Sequence, residues 1–289
     1  MRSIKCAICN KSEYRILYSQ KFSQQDLNGD TYSARRSPVI NHYQMVKCLN
    51  CGMVFSTPIL ETSEIEKLYQ QSKFNYKTLT KDLQKTYGKY LSILRPSSKH
   101  RLLEIGCGNG FFLEKAKELG YQEVYGVEPS SEAIERALPS IRRNILRGLF
   151  GPELFSANSF DVVCCFQTLD HIVDPNAFLR DCRYYLKDGG KILCITHNID
   201  ALAAKILGER CPMIDIEHIF LFNKSTLNTI FAHNGFTVSN VFDVANTYPL
   251  AYYFHLLPIF KHIKLSSSLG NVRLTMKMGN IGIIATKEE

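Results

Sequence analysis

Apolar residues change their spacing along the chain, and each change marks a different kind of element. Near the N-terminus they alternate in strand fashion, at Tyr43, Met45 and Val46 and again at Met53, Val54 and Phe55. From Ser63 to Leu94 the spacing becomes three and four, through Ile65, Leu68, Tyr69, Leu83, Tyr87, Tyr90, Leu91 and Leu94, which predicts helix. Arg95-Pro96-Ser97-Ser98 breaks that pattern. Beyond it, buried-strand runs at Arg101–Ile105, Phe160–Phe166 and Lys191–Thr196 alternate with helical stretches. One helix starts at Asp174-Pro175, runs through Leu186 and stops at Asp188-Gly189-Gly190. Phe236–Val244 and Asn280–Lys287 predict a closing antiparallel pair. The alternation reads as an α/β fold. Three segments follow: residues 1–60, a helical connector or lid over 61–96, and a large domain over 97–289.

The first strand of the large domain runs into Gly106-Cys107-Gly108-Asn109-Gly110 and then a helix from Phe111. Strand, glycine loop and helix form the first unit of a nucleotide-binding fold, because glycine lets backbone approach a ligand and the helix start offers free N–H groups. A dinucleotide fingerprint needs a third glycine where Phe111 stands. The next strand ends on Glu128, about 20 residues past the loop, where a carboxylate can accept both hydroxyls of a ribose. Glu104, ahead of the glycines, suits a ligand with an amino group and opposes a pyrophosphate. That combination favours S-adenosylmethionine (SAM) over NAD.

Ten cysteines in a chain whose first residues lack the apolar run of an export signal predict a reducing, cytoplasmic setting. Cys6-x-x-Cys9 and Cys48-x-x-Cys51 can place four thiolates around one structural Zn²⁺. Such a staple is expected where about 50 residues cannot bury much core. The other cysteines lie among apolar residues and read as core. The longest lipid-like stretch, Pro249–Ile263, is too short and polar to span a bilayer.

Charge is unevenly placed. Residues 1–100 hold 16 Lys and Arg against 7 Asp and Glu, while residues 101–289 hold 19 against 20. The basic excess therefore lies ahead of the large domain, where it would attract phosphate-bearing partners or simply face solvent.

LEIGCGNGFFL, VYGVEPS, FDVVCCFQTLDHIVDPNAFLRDCRYYLKDGG and GNIGIIATK resemble the ordered motifs of class I SAM-dependent methyltransferases. The CxxC pairs with YQMVKCLNCGMVF, and the segment IDIEHIFLFNKSTL, resemble bacterial sugar methyltransferases that carry an N-terminal zinc-binding module. The resemblance implies a Rossmann-like, seven-stranded sheet with helices on both faces. It implies a cofactor site of Glu104, Gly106, Cys107, Gly108, Gly110, Glu128, Pro129, Phe166 and Gln167, with Leu149 and Phe150 near the adenine. It makes His218 the first choice as general base, with Glu217 orienting it or holding a sugar hydroxyl. His171 would face the methyl, His197 ends the strand at the same edge, and Tyr76 would reach over the acceptor. Sugar C-methyltransferases carry a further C-terminal domain, so oxygen is the expected target in a carbohydrate, nucleotide-sugar or glycolipid-precursor acceptor.

Two other functions compete. An RNA methyltransferase would use the basic N-terminal region on phosphates, but few aromatics accompany Arg35-Arg36. A non-catalytic SAM-binding scaffold would be expected to lose the glycine loop or the ribose acid, and both are intact.

Overall fold

A computed structural model describes residues 1–33, 41–73, 79–94, 96, 99–256 and 267–288. Tyr76, Arg35-Arg36 and most of the Arg95–Ser98 break lie outside them. The chain opens with three antiparallel strands, β1 (Tyr14–Tyr18), β2 (Met45–Cys48) and β3 (Val54–Ser56). The helical pattern that follows forms two helices, α1 (Thr62–Gln70) and α2 (Thr80–Ile93).

Strands β4 (Arg101–Ile105), β5 (Glu123–Glu128), β6 (Ile145–Arg147), β7 (Phe160–Phe166) and β8 (Leu186–His197) pair in parallel. Two-residue β9 (Phe220–Leu221) comes next, and the long hairpin of β10 (Phe236–Pro249) and β11 (Arg273–Lys287) closes the chain. The large sheet has seven strands in the order β10-β11-β8-β7-β4-β5-β6, with β11 antiparallel to both neighbours. All seven residues of β7 are buried. A central strand covered on both faces has no polar side, which is why its sequence shows an unbroken apolar run.

The expected elements stand with shifted ends. The expected strand at Lys191 begins at Leu186, and Lys187–Gly190 bulge out between the pairs Phe160↔Leu186 and Val162↔Lys191. The helix already ends at Tyr185, so Asp188-Gly189-Gly190 does not stop it but lies inside the strand, with Gly189 at φ +72°. The closing hairpin extends past Val244 to Pro249. The helix Pro175–Tyr185 starts as expected, since Asp174 accepts the Asn176 and Ala177 N–H groups.

β9 does not join the large sheet. It pairs with β3, giving the small sheet the order β1-β2-β3-β9. Residues far along the chain therefore complete the N-terminal sheet.

Candidate active site

The carboxyl ends of β4, β5, β7 and β8 open into one cavity of about 740 Å³. At β4 the chain turns through Gly106, Gly108 and Gly110, all at positive φ, into α3 (Phe111–Glu118). A Cβ at Gly106 would meet Thr168 Oγ1 at 2.5 Å, so only glycine lets the loop lie this close to the end of β7. Glu128, at the tip of β5, accepts the N–H groups of Gly108 (2.8 Å) and Ser130 (2.9 Å). Burial raises its carboxyl pKa, against those two bonds. Glu104 is fully buried, its Oε2 has no hydrogen-bond partner, and burial pushes its carboxyl well above the ordinary range.

These features fit SAM: an orphaned buried carboxylate oxygen suits a cationic amine, and the carboxylate beside the glycine loop suits a ribose. Leu149 and Phe150 line the same cavity, and the Phe150 ring packs edge-on to Phe178 at 5.2 Å. Tyr87, from α2, stacks on Phe166 at 4.2 Å. Pro129 and Gln167 also line the cavity, whereas Cys107 and Gly110 do not. Cys107 turns its thiol under Gly126, and Gly110 packs against Ile141 and Ile145.

A second group shares the cavity. Asp170, on the single turn Leu169–His171 after β7, is fully buried beneath three imidazoles. His197 Nδ1, at the end of β8, lies 2.5 Å from Asp170 Oδ2. His171 Nε2 lies 3.8 Å from Oδ1, and His218 Nε2 lies 3.9 Å from Oδ2. Burial alone would raise the Asp170 carboxyl, but His197, His171 and His218 override it and hold the group far below the carboxylate range. His218 Nδ1 lies 2.8 Å from the Met213 carbonyl. A carbonyl only accepts, so that nitrogen carries the proton and Nε2 presents a lone pair toward Asp170. Tyr69, from α1, places its hydroxyl 2.8 Å from His171 Nδ1.

Asp170, His197 and His218 offer three donor atoms within 4.8 Å, which invites a metal reading. The His197 ring and the Asp170 carboxylate lie in hydrogen-bond contact, and the three side chains form a hydrogen-bonded and electrostatic network.

His171, His197, Glu217 and His218 all line the cavity. Asp170 and Tyr69 were not singled out in the sequence. The only available signal for Asp170 was its place beside His171 directly after a buried strand.

The four N-terminal cysteines converge. Cys6 and Cys51 sulfurs are 3.3 Å apart, Cys9 and Cys48 sulfurs 3.5 Å, and all four lie within 4.8 Å of one another. Tetrahedral zinc thiolates sit about 3.8 Å apart, so the set fits Zn²⁺ with little adjustment.

The family model described as a methyltransferase domain matches residues 77–241, more than half of the chain. The chain belongs to the class I SAM-dependent methyltransferases. The ubiquinone biosynthesis O-methyltransferase of Cereibacter sphaeroides (strain ATCC 17029) is 31% identical over 157 residues, covering 52% of this chain and 63% of that protein. A SAM-dependent methyltransferase from Archaeoglobus fulgidus superposes with a TM-score of 0.51 at 20% identity, covering 72% of this chain and 94% of its own. The [4+2]-cyclase SpnF superposes at 0.50 and 15% identity, covering 80% and 98%. These likenesses establish the fold, and the cyclase illustrates that the fold alone does not set the reaction. Among the described residues no helix of this methyltransferase is long and apolar enough to cross a membrane.

Proposed function

We propose that this methyltransferase moves the SAM methyl to a hydroxyl of a small, polyhydroxylated acceptor of the carbohydrate class, with His218 as the general base. The observation that carries the proposal is the His218 Nε2 lone pair, 3.9 Å from the buried Asp170 carboxylate in the cavity that holds the glycine loop. Bound SAM supplies an electrophilic methyl on a good leaving group, so the chain must align the acceptor and take its proton. Burial keeps the His218 imidazole neutral and ready to accept. Once protonated, it completes an ion pair with Asp170, which His197 holds in place. Tyr69 and His171 offer further hydrogen bonds to the acceptor.

Oxygen as the target is supported by the printed activity of the Cereibacter relative. The acceptor does not carry over from it. Arg2, Tyr32, Thr62, Glu66, Tyr69 and Lys73 line the same cavity and all precede the family match, which begins at residue 77. Among them, the polar groups of Thr62, Glu66 and Tyr69 suit a hydroxylated acceptor. The experiment is methyl transfer from labelled SAM to a panel of sugars and nucleotide sugars, catechols and RNA, with products mapped by mass spectrometry. Turnover confined to catechols would replace the carbohydrate reading, and turnover confined to RNA would replace both.

A further inference from the structure

The small sheet and the acceptor cavity share one short piece of chain. Ser56, the last residue of β3, is fully buried. Its N–H donates to the Ile219 carbonyl at 2.8 Å, and its hydroxyl donates to the His218 carbonyl at 3.0 Å. Met45 Sδ also lies 3.3 Å from that hydroxyl, but a thioether is the weaker acceptor and one proton serves one bond. From the opposite side, the Ile219 N–H donates to the Asp170 carbonyl at 2.8 Å. The His218–Ile219 backbone is thus clamped between β3 and the turn that carries Asp170.

The clamp is anchored at the cysteines. Cys48 ends β2, and β3 begins three residues after Cys51, so the second CxxC pair forms the turn of the β2–β3 hairpin. Within it, the Cys48 N–H donates to Met53 at 2.8 Å and the Gly52 N–H to Cys48 at 3.1 Å, with Gly52 at φ +77°. A metal gripping this turn braces the strand whose far end holds His218.

We infer that Ser56 is a positioning residue for His218, and that metal at the four cysteines governs the acceptor site through it. The inference rests on His218 being the base, but its test needs no acceptor. Among the described residues, the titratable groups against the His218 imidazole are Asp170, His171 and His197 from the sheet edge and Asp215 from its own loop, while Glu217 and Tyr69 line the same cavity. None belongs to β3. A shift caused by changing Ser56 therefore reports movement of the imidazole, not loss of a neighbouring charge.

Zinc-loaded protein with labelled histidine is titrated by NMR, with the His218 signal assigned from His218→Gln. In Ser56→Ala, zinc content and SAM affinity should persist, while the His218 midpoint rises toward the free-imidazole value of about 6.5 as its burial relaxes. Ser56→Cys, which keeps the size and a weak donor, should fall between. Withdrawing zinc from the unmodified protein with a chelator should move the midpoint in the same direction. A Ser56→Ala protein with full zinc and an unmoved midpoint overturns the inference. If that variant fails to bind SAM, the chelation series decides, and an unmoved midpoint at complete zinc loss is the overturning result. If the acceptor proves not to be hydroxylic, the acceptor panel fails while these shifts stand.

Discussion

Asp170 Oδ2 and His197 Nδ1 are 2.5 Å apart, with the carboxylate wholly buried and a second imidazole, His218, facing the same oxygen. Asp170→Asn keeps the volume but removes the charge that would stabilise a protonated His218. Turnover is expected to fall between about 10²- and 10⁴-fold, with SAM affinity by calorimetry nearly unchanged. Parallel loss of SAM affinity would assign Asp170 to cofactor binding.

His218 gives a pH test with a definite sign. Burial holds its pKa below the ordinary value, and His197 pushes the same way. The neutral form is the base, so turnover should fall on the acid side as pH descends through that lowered pKa. Stability follows the same titration. The unfolded chain takes up this proton near pH 6.5 and the native chain only at lower pH, so stability declines across that interval as pH falls. His218→Gln should shrink the difference in urea midpoint between about pH 7.5 and 5.5. A difference as large as that of the unmodified protein would assign the slope to another group.

At the cofactor, Gly106→Ala forces a Cβ to within 2.5 Å of Thr168 Oγ1 and onto a backbone at φ +72°. Glu128→Ala removes the acceptor of the Gly108 and Ser130 N–H groups and, with it, the carboxylate proposed to hold the ribose. Each should weaken SAM binding by about 1–3 kcal/mol. Calorimetry that finds both variants at the unmodified affinity would remove these residues from the site.

The four-cysteine site predicts one zinc per chain. Cys48→Ser should lose the metal and destabilise the β1–β3 region, while SAM still binds the large sheet. Metal analysis of protein purified without chelator is the check, and less than about a tenth of an equivalent would refute a structural zinc.

Much of the fold was legible because its signals are local. Phe160–Phe166 shows as an apolar run because both faces of β7 are covered. The glycine loop and the CxxC pairs state their geometry within a few residues. Asp170 is not legible locally because a lone acid in a loop is ordinary until folding brings His197 and His218 onto it, 27 and 48 positions later. β9 escaped for a different reason: two residues cannot display a period of two, and its partner lies in the first quarter of the chain. The bulge at Lys187–Gly190 was hidden because Asp-Gly-Gly suits a helix stop equally well.

The bond from Ser56 to His218 joins positions 162 residues apart, and the strand beside it is the outer strand of the first sheet to be synthesised. On the ribosome, β1 to β3 emerge early with the β3 edge bare, and Phe55 must wait for Phe220 to cover it. Contacts of such separation form late, because the intervening loop must close before they contribute. The N-terminal sheet therefore begins first in sequence but is completed only after β4 to β8 have been made. Nascent chains released before residue 221 should expose an unpaired strand, visible as aggregation or chaperone binding that disappears once β9 has been translated.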